Sequence, residues 1–379
     1  MIRLNLIQLF TSASVFMCLV YIPLVAEDLG ATHTEIGIIG AVYGIALFTS
    51  SYIFGRATDI YPPKLLLYAG CMTCALFFFL QTLATTPGSL GLIRALAGFS
   101  TGILPAALIS YVHTMGRNVG KFVSFGALGW ALGAVVAGVV ARLSGDLNGI
   151  FIVSSIFFIA SAVLLIGLPQ VSERYQDGDL PSTITIKKNF AIYATFFARH
   201  TAACSIWIIF PLYLKALGAG ALEIGVLYAV NPISQFVIMQ QIKTHNSERL
   251  IEIGHVASVA AFVSISLLTS YSQAVLSMFL IAVSWSFLYV GSILTLLKEN
   301  PSSRGTAIGI LSSAISIAAV GGSFLGGGLS DLAQSLLSSD LMAYRVVCGL
   351  AAIISAAGFI SYRVSRSRMR SKRSYLQSR

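Results

Sequence analysis

Two arginines and three histidines stand inside long apolar runs of this chain: Arg94, Arg199, His200, His255 and, close to the end of its run, His113. Ionisable groups are costly to hold in hydrocarbon, so each is first a functional candidate. Arginine stays charged, and no Asp or Glu lies well inside an apolar run to pair with it. Two chemistries remain. Backbone carbonyls and helix ends can hold the guanidinium and brace the fold, or Arg199 and Arg94 can meet an anionic group on a bound solute. Arg199 lies roughly 13 Å into its run at 1.5 Å per residue, near the middle of a bilayer. His200 titrates in the physiological range and adjoins Arg199, although neighbours on a helix point about 100° apart. It is the candidate proton carrier, with a polar packing residue as the alternative.

Uncharged candidates surround these. Thr11 and Ser12 lie in the first run, and Trp207 follows Arg199 by about two turns. Asn231 precedes Pro232, which frees backbone carbonyls, and Gln235 stands one turn on. Trp285 and Tyr289 are four apart, on one helix face. Aromatic faces and amides of this kind suit sugars, organic cations or ring systems; helix packing is the alternative for each.

The elements that must position them follow from composition. Apolar residues make up 56% of the 379 and charged residues 10%, against about a quarter charged in soluble domains. Mean hydropathy is +0.84. Apolar runs of span length fall near 4–26, 36–57, 65–84, 88–114, 122–142, 149–168, 190–215, 224–242, 250–270, 273–297, 305–329 and 342–362. The polar stretch 169–189 divides them into halves, 1–168 and 190–364, and a basic tail, 365–379, follows. Arg3 before the first run resembles a signal peptide, but that run and its exit recur deep in the chain, so a structural span is expected.

The recurrence is specific. PLVAEDLGATHTEIG (23–37) and PLYLKALGAGALEIG (211–225) agree at eight of fifteen positions without a gap. The fifth run ends in RLSGD and the eleventh in GGLSD. Two six-helix halves in parallel repeat place a solute site near the midplane between them, with access alternating as one half rocks against the other. Lys and Arg set the orientation: with the N-terminus inside, inner segments hold nineteen and outer loops three, namely Arg142, Lys215 and Arg345. Both termini are therefore expected in the cytoplasm, in a cell membrane. The net charge of +10 is a topology signal, and no nucleic-acid partner is needed to explain it.

With these features the chain resembles the major facilitator superfamily of secondary transporters over nearly its whole length. Loop GRATDIYPPK is similar to the family's Gly-x-x-x-Asp signature at Gly55, Asp59 and Lys64, with Ile60 to Pro63 in place of the usual Arg and Gly. The resemblance implies that Asp59 and Arg56 take part in a charge relay at the inner gate. LIRALAGFSTG resembles the second signature at Arg94, Gly98 and Gly102, with Ala97 where Gln is common. GALGWALGAVVAG resembles the glycine-rich antiporter motif, with Ala134 where Pro is usual. The implied fold is an all-α polytopic membrane protein, twelve transmembrane helices in two pseudo-symmetric six-helix bundles, with helices 1, 4, 7 and 10 lining the cavity. The implied function is movement of a small organic solute by a monomer, with a coupling proton or counter-substrate. An anionic solute is favoured by the unpaired arginines; export of amphipathic or cationic compounds is the alternative.

Other chemistries find little here. Gly98–Gly102 spells G-x-S-x-G, but the hydrolase elbow needs a strand before it and this run is helical. Cys71-x-x-Cys74 lies in an apolar run with no further ligands nearby, which reads as packing rather than metal. No phosphate-binding, zinc-protease or dinucleotide motif occurs, so no cofactor and no enzymatic activity are expected. An enzyme on lipid-linked substrates would need acids or a metal in long outer loops.

Overall fold

The computed structural model describes residues 2–57, 61–115, 119–170, 183–242, 246–300 and 304–377. In hydrocarbon an apolar run satisfies its amides internally only as a helix, and no strand occurs among the described residues. The helices are α1 (Ile2–Asp28), α2 (His33–Ala57), α3 (Pro63–Leu80), α4 (Pro87–Gly102), α5 (Leu104–Thr114), α6 (Val119–Ser144) and α7 (Asn148–Ile166). After the central stretch come α8 (Thr183–Trp207), α9 (Phe210–Ala216), α10 (Ala221–Gln241), α11 (Ser247–Ser266), α12 (Ala274–Glu299), α13 (Arg304–Leu337) and α14 (Asp340–Gln377).

Ten of these helices are long and apolar enough to cross a membrane, and α8 with α9, bent by 42°, forms an eleventh span. α4 and α5 follow one another across Ile103, whose backbone stays in the right-handed helical region, and take the place of the twelfth. The α8–α9 bend precedes Pro211, which has no N–H to give and crowds the carbonyl four residues earlier.

Two helices exceed the apolar runs that define them. α8 starts at Thr183 rather than near 190, because its polar first turns have partners on α12. Lys188 Nζ donates to the Glu299 carbonyl, and Asn189 and Asn300 exchange side-chain hydrogen bonds of 3.1 and 3.2 Å. α14 continues to Gln377, past the expected end near 362; Arg366, 2.7 Å from the Glu299 carboxylate, fastens the extension to the bundle.

Packing repeats with the sequence. α1 lies against α6 and α7 as α8 lies against α13 and α14; α2 pairs with α4 as α10 pairs with α12; α3 meets α7 as α11 meets α14. Small-residue pairs admit close approach equivalently in the two halves. Gly129 and Gly133 face the backbone of α1 at Leu9 and Ala13, and Gly322 and Gly326 face α8 at Thr201 and Ser205. The main contacts between the halves are α2 with α13 and α6 with α10, with a smaller one between α1 and α9.

Candidate functional site: the cleft between the halves

The two seams close at one end, the end carrying residues 29–32 and 217–220, which is outer on the charge count. At Gly225 an added Cβ would lie 2.4 Å from the Ala134 carbonyl, and at Gly327 2.1 Å from that of His33. The backbones therefore touch. Hydrogen bonds across the halves lie at this same end: Tyr21 to the Ala221 carbonyl, Lys215 to Glu27, and Asp331 to His33 and Thr34. Along α2 the contact continues inward through Gly40, which faces Ile208 and Ser323, and Gly44, which faces Val320. Phe48 shares the seam face of α2 with Gly37 and Gly44, yet is 38% exposed.

Aromatic rings line the cleft just inside the closure. Trp130 is 42% exposed, and helical spacing puts it opposite Leu128, Val135 and Val139, the exposed stripe of α6 that faces lipid. Its ring stacks on Phe16 with centroids 5.4 Å apart and planes 7° apart. Phe16 meets Tyr228 of the other half at 6.3 Å, and Tyr228 meets Trp207 at 5.3 Å. The C-terminal half adds a second stack, Trp285 on Tyr289 at 5.3 Å and 8°, with the His200 ring 5.3 Å from Trp285. Asn231 and Gln235 stand with Tyr228 on the face of α10 opposite exposed Val226, Ile233 and Val237. Gln235 Nε2 donates to Asn231 Oδ1 at 2.8 Å, and both residues are 8% exposed.

The arginines point elsewhere. Arg199 is 2% exposed; Nε donates to Ser258 Oγ of α11 at 2.9 Å and a terminal nitrogen to Ser284 Oγ of α12 at 2.7 Å. The rings of Phe262 and Trp285 flank it at 5.6 and 5.8 Å. Arg94, also 2% exposed, lies 3.9 Å over the Tyr43 ring and donates to Gln81 Oε1 at 3.4 Å, with Nε unpartnered. Both guanidiniums are thus held inside their own halves by neutral acceptors and ring faces. His200 is half-buried at the cleft wall; Nε2 sits 3.6 Å from Cys204 Sγ and Nδ1 has no hydrogen-bond partner.

The remaining candidates separate. Ser12 lies within reach of Gln8 beside Gly126 of α6. Thr11 is 4% exposed, bonded to the Ile7 carbonyl at 2.8 Å, and shares the face of Ser14 and Cys18, which contact Ser154 of α7. It therefore faces its own bundle. Of the loop signature, Lys64 Nζ donates to the carbonyls of Leu168 at 2.5 Å and Ile166 at 3.3 Å, both at the end of α7. Asp59 lies outside the described residues, as do the surroundings of Gly55 and the side chain of Arg56. Three residues, Phe16, Trp130 and Tyr228, carry no pattern of their own in the sequence, and Asp331 on the seam ends the GGLSD stretch, which gives no hint of its partner on α2. The signal for Trp130 was its place within a glycine-rich run, where a large ring has few neighbours to pack against.

Two repeated helical bundles, with ten or eleven spans among the described residues and close backbone contact at one end, have the build of a membrane transporter. A family model described as Major Facilitator Superfamily matches residues 4–301, and the chain belongs to that family. An uncharacterized MFS-type transporter of Methanocaldococcus jannaschii is 21% identical over 81% of this chain and 85% of its own length. Multidrug resistance protein MdtG of Citrobacter koseri is 27% identical over 57% of each chain. The nucleoside transporter NupG has the same fold, with TM-score 0.81 at 15% identity over 96% of this chain and 98% of its own. So does a bacterial homologue of the human lysosomal transporter Spinster in its inward-facing, unoccupied state, with TM-score 0.75 at 13% identity over 96% of each.

Proposed function

We propose that this chain moves a small amphipathic organic solute bearing a ring, uncharged or weakly charged, through the cleft by alternating access, with both termini on the cytoplasmic side. The observation that carries this is the engagement of Arg199 by Ser258 and Ser284, while Trp130, Trp207, Tyr228, Asn231 and Gln235 remain at the cleft. An anionic solute, which unpaired arginines favour in the sequence, would have to draw Arg199 away from both serines and out of its bundle. Stacking on rings and hydrogen bonding to amides need no such rearrangement. For a coupling proton, the unpartnered Nδ1 of His200 is the supporting group. The likeness to MdtG, named for multidrug resistance, together with the aromatic wall supports movement outward as a second reading.

All three tryptophans of the chain, Trp130, Trp207 and Trp285, border the cleft, so their fluorescence reports occupancy. The purified protein is titrated with uridine, tetraphenylphosphonium and benzoate as neutral, cationic and anionic probes. Saturable quenching by uridine or tetraphenylphosphonium, weakened in Trp130→Phe and retained in Arg199→Ala, is expected. Saturation by benzoate alone, abolished in Arg199→Ala, would return the anionic reading.

A further inference from the structure

The carboxylate of Asp331, in the outer part of α13, crosses the seam to the first turn of α2. Its Oδ1 accepts the His33 backbone N–H at 3.0 Å and lies 2.8 Å from His33 Nδ1; its Oδ2 accepts the Thr34 N–H at 2.7 Å. His33 Nε2 lies 2.9 Å from the hydroxyl of Tyr344 on α14, and the two rings meet edge to face. The first amides of a helix lack internal partners and carry the positive end of its dipole, so an anion is their best neighbour. Here the anion comes from the other half. The side chains of His33 and Asp331 are 12% and 29% exposed. The Lys215–Glu27 pair beside the other seam is far wetter, at 49% and 39%, and contributes correspondingly less.

The repeat sharpens the contrast. Asp146, which ends the RLSGD stretch after α6, accepts the N–H groups of Asn148 and Gly149 at 2.9 and 3.3 Å and so caps its own following helix. Asp331 ends the matching GGLSD stretch and caps no local helix among the described bonds; it reaches α2 instead.

We infer that Asp331 and His33 are positioning residues of the transport cycle: Asp331 caps α2 only while the outer end is closed, and thereby sets the balance between closed and open states. The inference rests on the alternating-access reading. Three donors converge on one carboxylate, so rocking one half away breaks all three together, and closure gains a two-state character. Gly37 and Gly327, whose backbones touch within one or two turns of the contact, make the capping distance depend on full closure.

Hydrogen exchange on the full-length, solute-free protein tests this. Asp331→Ala is expected to speed exchange about tenfold, equivalent to about 1.4 kcal/mol, at residues 221–229 and 134–142. These form the other seam, which Asp331 does not touch. Asp331→Asn keeps one acceptor and is expected to fall between. Protection where α3 packs on α7 within one bundle stays at the wild-type level, which a general loss of structure would not allow. Faster exchange confined to residues 33–36 in both variants overturns the inference, and if Asp331→Ala does not fold, the Asn variant alone decides. Gly225→Ala serves as control: if that wedge opens both seams and Asp331→Ala does not, the capping role fails while rocking stands. If the wedge opens only its own seam, the alternating-access reading fails.

Discussion

Gly225→Ala is the sharpest test of a closed outer end held by backbone contact. The added methyl would stand 2.4 Å from the Ala134 carbonyl oxygen, 2.9 Å from the Tyr21 hydroxyl and 3.1 Å from Gly138 Cα. Ordinary contact requires roughly 1 Å more than the shortest of these, and two of the three are backbone atoms that cannot turn aside. Overpacking of this kind costs about 1–3 kcal/mol, and it is felt only where α6 and α10 are in contact. Alanine also favours the helix by about 0.5–1 kcal/mol over glycine, but equally in both states, so that gain cancels. A shift of about 2 kcal/mol changes the closed-to-open ratio about 30-fold. A protein open about 1% of the time becomes open about a quarter of the time. Spin labels at Thr85→Cys and Ser272→Cys, both exposed and in opposite halves, in a chain with its five cysteines replaced, read the distance between the halves. A second, longer population in the alanine variant is expected. An unchanged single distance with a lowered melting temperature would refute the reasoning, because the wedge would then be destabilising a fold that does not open along this seam.

Four further outcomes are expected. Arg199→Met should leave the melting temperature equal or higher, since a buried cation with only neutral partners gives little net stability. Ser258→Ala with Ser284→Ala strands the charge and should cost about 3 kcal/mol in the same tryptophan-monitored unfolding. Lys215→Ala should cost under about 1 kcal/mol in that assay, because its ion pair is half exposed. Trp130→Ala should weaken a ring-bearing probe by up to about tenfold, as the loss of one stacking face predicts, measured by fluorescence of Trp207 and Trp285.

Much of the architecture was legible because hydrocarbon leaves few choices. The apolar runs and the 188-residue offset between the copies of the Glu-Ile-Gly turn reappear as spans and repeat. The bend before Pro211 was less legible, since an apolar run looks the same whether straight or bent. The site was legible in composition but not in direction. Trp207 meets Tyr228, on the face of α10 that carries Asn231 and Gln235, while Trp285 and Tyr289 stack apart from them beside His200. Arg199 and Thr11 turn into their own bundles, and the partners that turn them, Ser258, Ser284 and Ser154, are small hydroxyls with no signature along the chain. The outer contact was hidden for a related reason. His33 falls inside the very turn that repeats, but at a position where the second copy has Ala221, and its partner Asp331 is nearly three hundred residues away.

The two buried arginines also differ in when their partners exist. Arg94 meets Tyr43 and Gln81, both made before it, so its guanidinium has shelter as α4 enters the bilayer. Arg199 waits for Ser258 and Ser284, 59 and 85 residues further along the chain. At roughly 5–20 residues per second of synthesis, about 4–17 s pass before the second serine leaves the ribosome, with a cation on α8 and no acceptor to hold it. During that interval α8 must stay beside the insertion machinery or near the membrane surface, and it settles only when α11 and α12 arrive. The second half therefore assembles as a set, after the first has already closed around its own charge.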